Sequence, residues 1–123
     1  MEKEFINYNQ ALKLKELGFD EPCFGRYWIK EFQLRSPKDY NAPTEKIDSV
    51  SAPTYSQAFR FFREKYSLYH IIDKQGYWFF EIKKDEGFGD LDVILTSYDY
   101  ETYEEAELAC LDKLIEIVEG KSL

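Results

Sequence analysis

Histidine and methionine each occur once in the 123 residues, and cysteine twice. Cys23 and Cys110 stand far apart and match no zinc-ligand spacing. With His70 as the only imidazole, either thiol acting as a nucleophile would need an activating base brought close to it by the fold. The six glycines form no phosphate-cradling loop. No apolar run reaches membrane-spanning length, and Met1-Glu2-Lys3-Glu4 carry no apolar signal region. These features predict a cytoplasmic protein with both thiols reduced. Cations are also scarce: 16 Lys and Arg stand against 24 Asp and Glu, for a net charge of −8 and a pI near 4.7. Such a field repels a phosphate backbone, so nucleic acid is an unfavoured partner unless a local basic patch exists.

Aromatic residues are abundant, at 18% of the chain, with ten Phe and ten Tyr. Such rings suit packed sheet surfaces and interfaces. The length fits one α+β domain, residues 1–123, able to bury a core without staples.

One pattern organises the chain. Asn7-Tyr8-Asn9-Gln10-Ala11, Thr54-Tyr55-Ser56-Gln57-Ala58 and Thr102-Tyr103-Glu104-Glu105-Ala106 share a capping residue, Tyr, any residue, Gln or Glu, then Ala. Asn or Thr at the N-cap accepts a first-turn N–H, and Gln or Glu three residues on reaches back to the N-cap N–H, which closes a capping box. The near-equal spacing admits a duplicated supersecondary unit or three separate uses of a good cap.

Taken in order, the pattern predicts helix over 8–17, ended by Gly18, and then a turn at Asp20-Glu21-Pro22. A strand follows over 24–29, with extension to Leu34 admitted. Residues 36–53 hold three prolines and are irregular: a mobile 37–45, then a short edge strand over 46–50. The second helix covers 55–66, with Tyr55, Ala58, Phe59, Phe62 and Tyr66 on one stripe. Strands over 69–73, 77–84 and 91–98 follow, with turns at Lys74-Gln75-Gly76 and across 85–90. In the last strand, alternation puts Leu91, Val93 and Leu95 on one face. The third helix covers 103–119 and stops at Gly120, with apolar stripes wide enough for burial on two sides. The expected fold is three helices on one face of an antiparallel sheet of four to five strands, in the order α-β-(β)-α-β-β-β-α.

Three stretches carry a resemblance. Ala11-Leu12-Lys13-Leu14-Lys15-Glu16-Leu17-Gly18-Phe19-Asp20-Glu21-Pro22-Cys23, Ser51-Ala52-Pro53-Thr54-Tyr55-Ser56-Gln57-Ala58-Phe59-Arg60 and Thr102-Tyr103-Glu104-Glu105-Ala106-Glu107-Leu108-Ala109-Cys110-Leu111 resemble short uncharacterised proteins of gut Bacteroidota genomes, their prophages and phages. The resemblance touches all three helices. It implies a bacterial or phage-related cytoplasmic origin and no chemistry, since the family has no established activity.

No catalytic constellation is visible, so the protein is not read as an enzyme, and no cofactor or metal is expected. A lone strand histidine is normally packing or surface. Cys110 falls on a core stripe, and Cys23 is the more exposed thiol by sequence. The acids of 85–92 match no calcium loop. Phe61 lies roughly 120° off its helix stripe, so it either meets a second element or lies exposed. An interaction site is expected around Phe61, with Arg60 and Arg63 beside it and Trp28 and Trp78 behind, because aromatic anchors with arginine typify interface hot spots. The functional reading is a non-catalytic interaction or regulatory module with a protein partner. Self-association through the third helix or exposed aromatics is a second possibility. The alternative is a nucleic-acid accessory protein using Arg60, Arg63, Lys65 and Lys83-Lys84, and a small-molecule enzyme ranks third.

Overall fold

The computed structural model describes residues 2–28, 30–34, 49–87 and 89–120. The chain is α+β and divides into two compact units, Met1–Ala58 and Phe59–Leu123. A short 3-10 turn, Glu2–Glu4, opens the first, followed by α1 (Tyr8–Glu16), β1 (Gly25–Trp28), β2 (Glu31–Leu34) and β3 (Ser49–Ala52). Helix α2 (Tyr55–Tyr66) carries the chain into the second, which holds β4 (Leu68–Gln75), β5 (Tyr77–Asp85), β6 (Leu91–Tyr100) and α3 (Tyr103–Glu119).

The single sheet of four to five strands is corrected to two three-stranded antiparallel sheets, ordered β2-β1-β3 and β4-β5-β6. The added strand comes from the segment read as one strand up to Leu34. It is a hairpin that pairs Trp28 with Glu31. Its turn carries no glycine; Lys30 takes the left-handed conformation at φ 66° instead. Without a Gly or Asn at that position, composition gave no turn signal. β3 begins at Ser49, and the mobile stretch and most of the short edge strand expected over 37–50 fall outside the described residues.

In the first unit, β1 lies between β2 and β3, and α1 packs on β3. Phe5, Ile6, Leu14, Tyr27 and Val50 are buried there. Tyr27 lies edge-on to Tyr8 and to Phe32 and donates its hydroxyl to the Ile6 carbonyl at 2.7 Å. Burial and then the Glu2 carboxylate raise the pKa of that hydroxyl, which keeps it a donor.

The second unit is a meander with α3 on one face. Phe80 and Ile82 of the central strand are fully buried on that inner face. Strand neighbours place Leu68, His70, Ile72 and Leu95 beside them. Both apolar stripes of α3 are used, with Ala106, Cys110 and Leu114 buried on one and Leu111 and Ile115 on the other. The helix stops at Gly120, whose φ of 76° is the left-handed C-cap that glycine adopts at no steric cost.

All three helices start where the repeated pattern put them, but the caps are wired differently. At α1 the box is complete: Asn7 Oδ1 accepts the Gln10 N–H at 2.8 Å, and Gln10 Oε1 accepts the Asn7 N–H at 3.0 Å. At α2 the Thr54 hydroxyl accepts the Gln57 N–H, yet the Gln57 amide donates to the Pro22 carbonyl. At α3 Thr102 accepts the Glu105 N–H, while Glu105 Oε2 takes the N–H of Glu101 rather than that of Thr102. The two sheets also differ in strand order, so the recurring opening reflects a shared helix start and not a duplicated fold.

Candidate interaction face

Helix α3 covers one side of the second sheet. Strand pairing assigns the other side. Row by row it carries Tyr69, Lys83 and Val93; Ile71, Glu81 and Thr96; and Asp73, Phe79 and Tyr98, with Asp85 and Leu91 beyond one end and Tyr77 beyond the other. Ile71 is 40% exposed, Val93 51%, Tyr77 59% and Tyr98 62%. The Phe79 and Tyr98 rings lie 5.8 Å apart at a shallow angle. A pair of aromatic rings within a run of exposed aliphatics is an apolar patch of the kind that marks interaction surfaces.

Two irregularities in β6 build this face. Pairing passes from Ile82–Leu95 directly to Lys83–Val93, which leaves Ile94 as an extra residue. A second extra residue falls between Ser97 and Tyr100, where Asp99 has φ 75°. Each bulge shifts the alternation by one residue. The expectation that Leu91, Val93 and Leu95 share a face is therefore corrected: Leu95 is paired with buried Ile82, while Val93 and Leu91 lie on the outer side.

The residues expected from sequence to make the site are not gathered on this face. Phe61 is 7% exposed and meets Phe62 and Tyr66 edge-on, so the anchor expected there is corrected to a core residue. Helix α2 uses a second face, which its single apolar stripe did not reveal. Arg60 is exposed and pairs with Glu64 at 3.5 Å. Arg63 is half-buried. Trp78 is on the inner side, edge-on to Tyr103 at 5.4 Å, with the Lys74 ammonium over its ring. Trp28 belongs to the first unit, where the Arg26 guanidinium stands 5.3 Å from its ring. The basic patch is divided as well. Lys83 is on the outer face, whereas Lys84 is on the inner side, where it lines a cleft of about 370 Å³ with Tyr66, Leu68, Ile94 and Ile117. Lys65 lies over the Phe61 and Tyr66 rings.

The titratable groups point to packing. His70 stacks on Phe59 with ring centroids 3.7 Å apart. Burial, and then the nearby Arg63 cation, lower its pKa to about 4. The ring is therefore neutral at pH 7. Its folded pKa lies below the ordinary 6.5, so the unfolded chain takes up the proton first. The stability it supports is complete above pH 6.5 and is lost as pH falls from 6.5 towards 4. The loss should reach about 2 kcal/mol, less than the whole shift implies because the ring is partly solvated. Urea unfolding across that range, run beside His70→Gln, should show the difference between the two proteins shrinking by this amount; a pH-independent difference would contradict the placement of His70.

Neither thiol fits a nucleophile. Cys110 is fully buried, and burial, followed by Glu107, pushes its pKa far up. Cys23, the thiol expected to be more exposed, is corrected to a buried residue, 1% exposed, with Sγ 3.3 Å from the Glu21 carbonyl oxygen. Both are free. Glu107 has its pKa raised by burial, opposed by a hydrogen bond from Tyr103, with Glu104 adding to the rise. Among the described residues no group of three or more metal-ligating side chains occurs, and no helix is long and apolar enough to cross a membrane.

The chain matches no family model, no curated protein and no solved structure. The functional reading therefore rests on the geometry of this chain.

Proposed function

We propose that the protein is a non-catalytic interaction or regulatory module of bacterial or phage-related origin, acting in the cytoplasm, and that it binds a protein through the outer face of β4–β6. The observation that carries this reading is the contrast between the two sides of one sheet. The inner side is sealed by α3 over Phe80 and Ile82, while the outer side presents Ile71, Tyr77, Val93 and Tyr98 to solvent. Burying aromatic and branched side chains of this kind against a partner contributes about 25 cal/mol per Å² of apolar surface. A phosphate backbone is a poorer fit, because Asp73, Glu81 and Asp85 outnumber Lys83 on this face.

A photo-crosslinking residue at Tyr98, compared with one at exposed Leu12 on α1, tests the reading in the protein's own host. Protein adducts specific to position 98 are expected. Equal labelling from both positions would overturn it, and salt-dependent retention on a nucleic-acid column would favour the alternative.

A further inference from the structure

The charges within the apolar face identify a partner. We infer that the outer face of β4–β6 pairs with the same face of a second copy, about a two-fold axis that sets Glu81 of each copy against the partner's Lys83. This rests on the reading of the face as a protein-binding surface, and it names the protein.

Glu81 and Lys83 are neighbours on the outer side of β5, the central strand, and they are the charged residues nearest the middle of the patch. Two identical sheets can meet face to face about a two-fold axis lying between them in one of two aligned ways. An axis parallel to the strands places Glu81 on Glu81 and Lys83 on Lys83, and like charges directly opposed repel. An axis perpendicular to the strands, midway between residues 81 and 83, places each Glu81 on a Lys83 twice over. An isologous interface requires this reciprocity.

The same operation carries the flanking rows onto complementary rows. Tyr69 meets Ile71, Val93 meets Thr96, and Leu91 meets Tyr98, so both outer strands contribute apolar contacts. Phe79 meets Asp85 towards the end of the patch, where water still reaches the carboxylate; Asp85 already accepts the Gly87 N–H at 2.8 Å. Sheets packed in this way lie about 10 Å apart with interdigitated side chains.

Size sets the strength. Strands of roughly 30 Å and a width of about 14 Å give a footprint near 400 Å² per copy. That lies at the low end of specific interfaces. Each copy also carries a net charge of −8, which opposes association. A dimer with a dissociation constant in the micromolar range or weaker follows.

Sedimentation velocity from about 1 µM to about 1 mM tests the inference, using the unaltered chain, Glu81→Lys, Lys83→Glu and the double reversal. Both substituted side chains lie on the outer face, away from the buried core, and near-UV circular dichroism checks each fold. The unaltered chain should pass from monomer to dimer as concentration rises. Each single reversal opposes like charges and should weaken the dimer at least tenfold. The double reversal restores opposite charges and should return it to within about threefold. Monomer throughout, or a dimer indifferent to the reversals, would overturn the inference. The crosslink at position 98 separates the two readings. An adduct of two copies supports both, an adduct with a different protein overturns self-pairing and leaves the binding face standing, and no specific adduct removes both.

Discussion

Replacing Phe61 by alanine should lower the stability of the protein by about 3–5 kcal/mol. The ring is 7% exposed and is held edge-on by Phe62 and Tyr66 at 5.5 and 5.9 Å, with the Lys65 ammonium over its face. Truncation removes the buried ring and leaves a cavity that a helix interior cannot close by local collapse. Against a typical total of about 5–15 kcal/mol, the loss should appear as a large shift of the urea midpoint. Arg60→Ala, at the adjacent exposed position, removes a solvent-exposed pair with Glu64 and should change stability by less than about 1 kcal/mol. If Phe61→Ala were tolerated as well as Arg60→Ala, the burial of Phe61 would be wrong and an anchor role for it would reopen.

The second large effect is expected at Gly25, and its sign is diagnostic. In an ordinary strand, replacing glycine by alanine stabilises by about 0.5–1 kcal/mol. Here a Cβ would stand 2.9 Å from the Ala52 carbonyl oxygen, 2.9 Å from the Phe5 ring and 2.8 Å from the Phe32 ring. The rings could rotate away at some loss of their 4.9 Å contact, but the oxygen belongs to the β1–β3 ladder, where Gly25 pairs with Ala52. Gly25→Ala should therefore destabilise by about 1–3 kcal/mol, as overpacking does, and Gly25→Val by more. Hydrogen exchange should show the loss first at the amides of β1 and β3. A stabilised Gly25→Ala variant would contradict the close approach.

The helices were the part most legible in the sequence. Their caps are local: Asn7, Thr54 and Thr102 each find a donor within the first turn, and Gly120 ends α3, so residues close in sequence suffice to place these boundaries. The central strand of the second sheet was legible for a similar reason, since Tyr77–Asp85 opens on four consecutive aromatic residues and continues through Ile82. What lay beyond a local reading was decided by tertiary contacts. The hairpin turn at Lys30 takes a positive φ because the pairing of β1 with β2, closed at Trp28–Glu31, must turn the chain there, and no residue type announces that. Gln57 and Glu105 leave the reciprocal cap because other backbone groups, the Pro22 carbonyl and the Glu101 N–H, come within reach.

The candidate face shows the same division. Sequence supplied its aromatic and branched residues and showed that the lone histidine and the separated thiols were poor material for catalysis. It could not supply the side on which Leu91 and Val93 emerge, because side-chain direction has a period of two and each bulged residue in β6 reverses it. Nor could it show that Phe61 is enclosed, because a helix stripe records one buried face and Phe61 faces another. Local hydrogen bonding and hydrophobic periodicity determine where the elements are. Strand pairing and packing, which join residues distant in sequence, determine which surface is left open to bind.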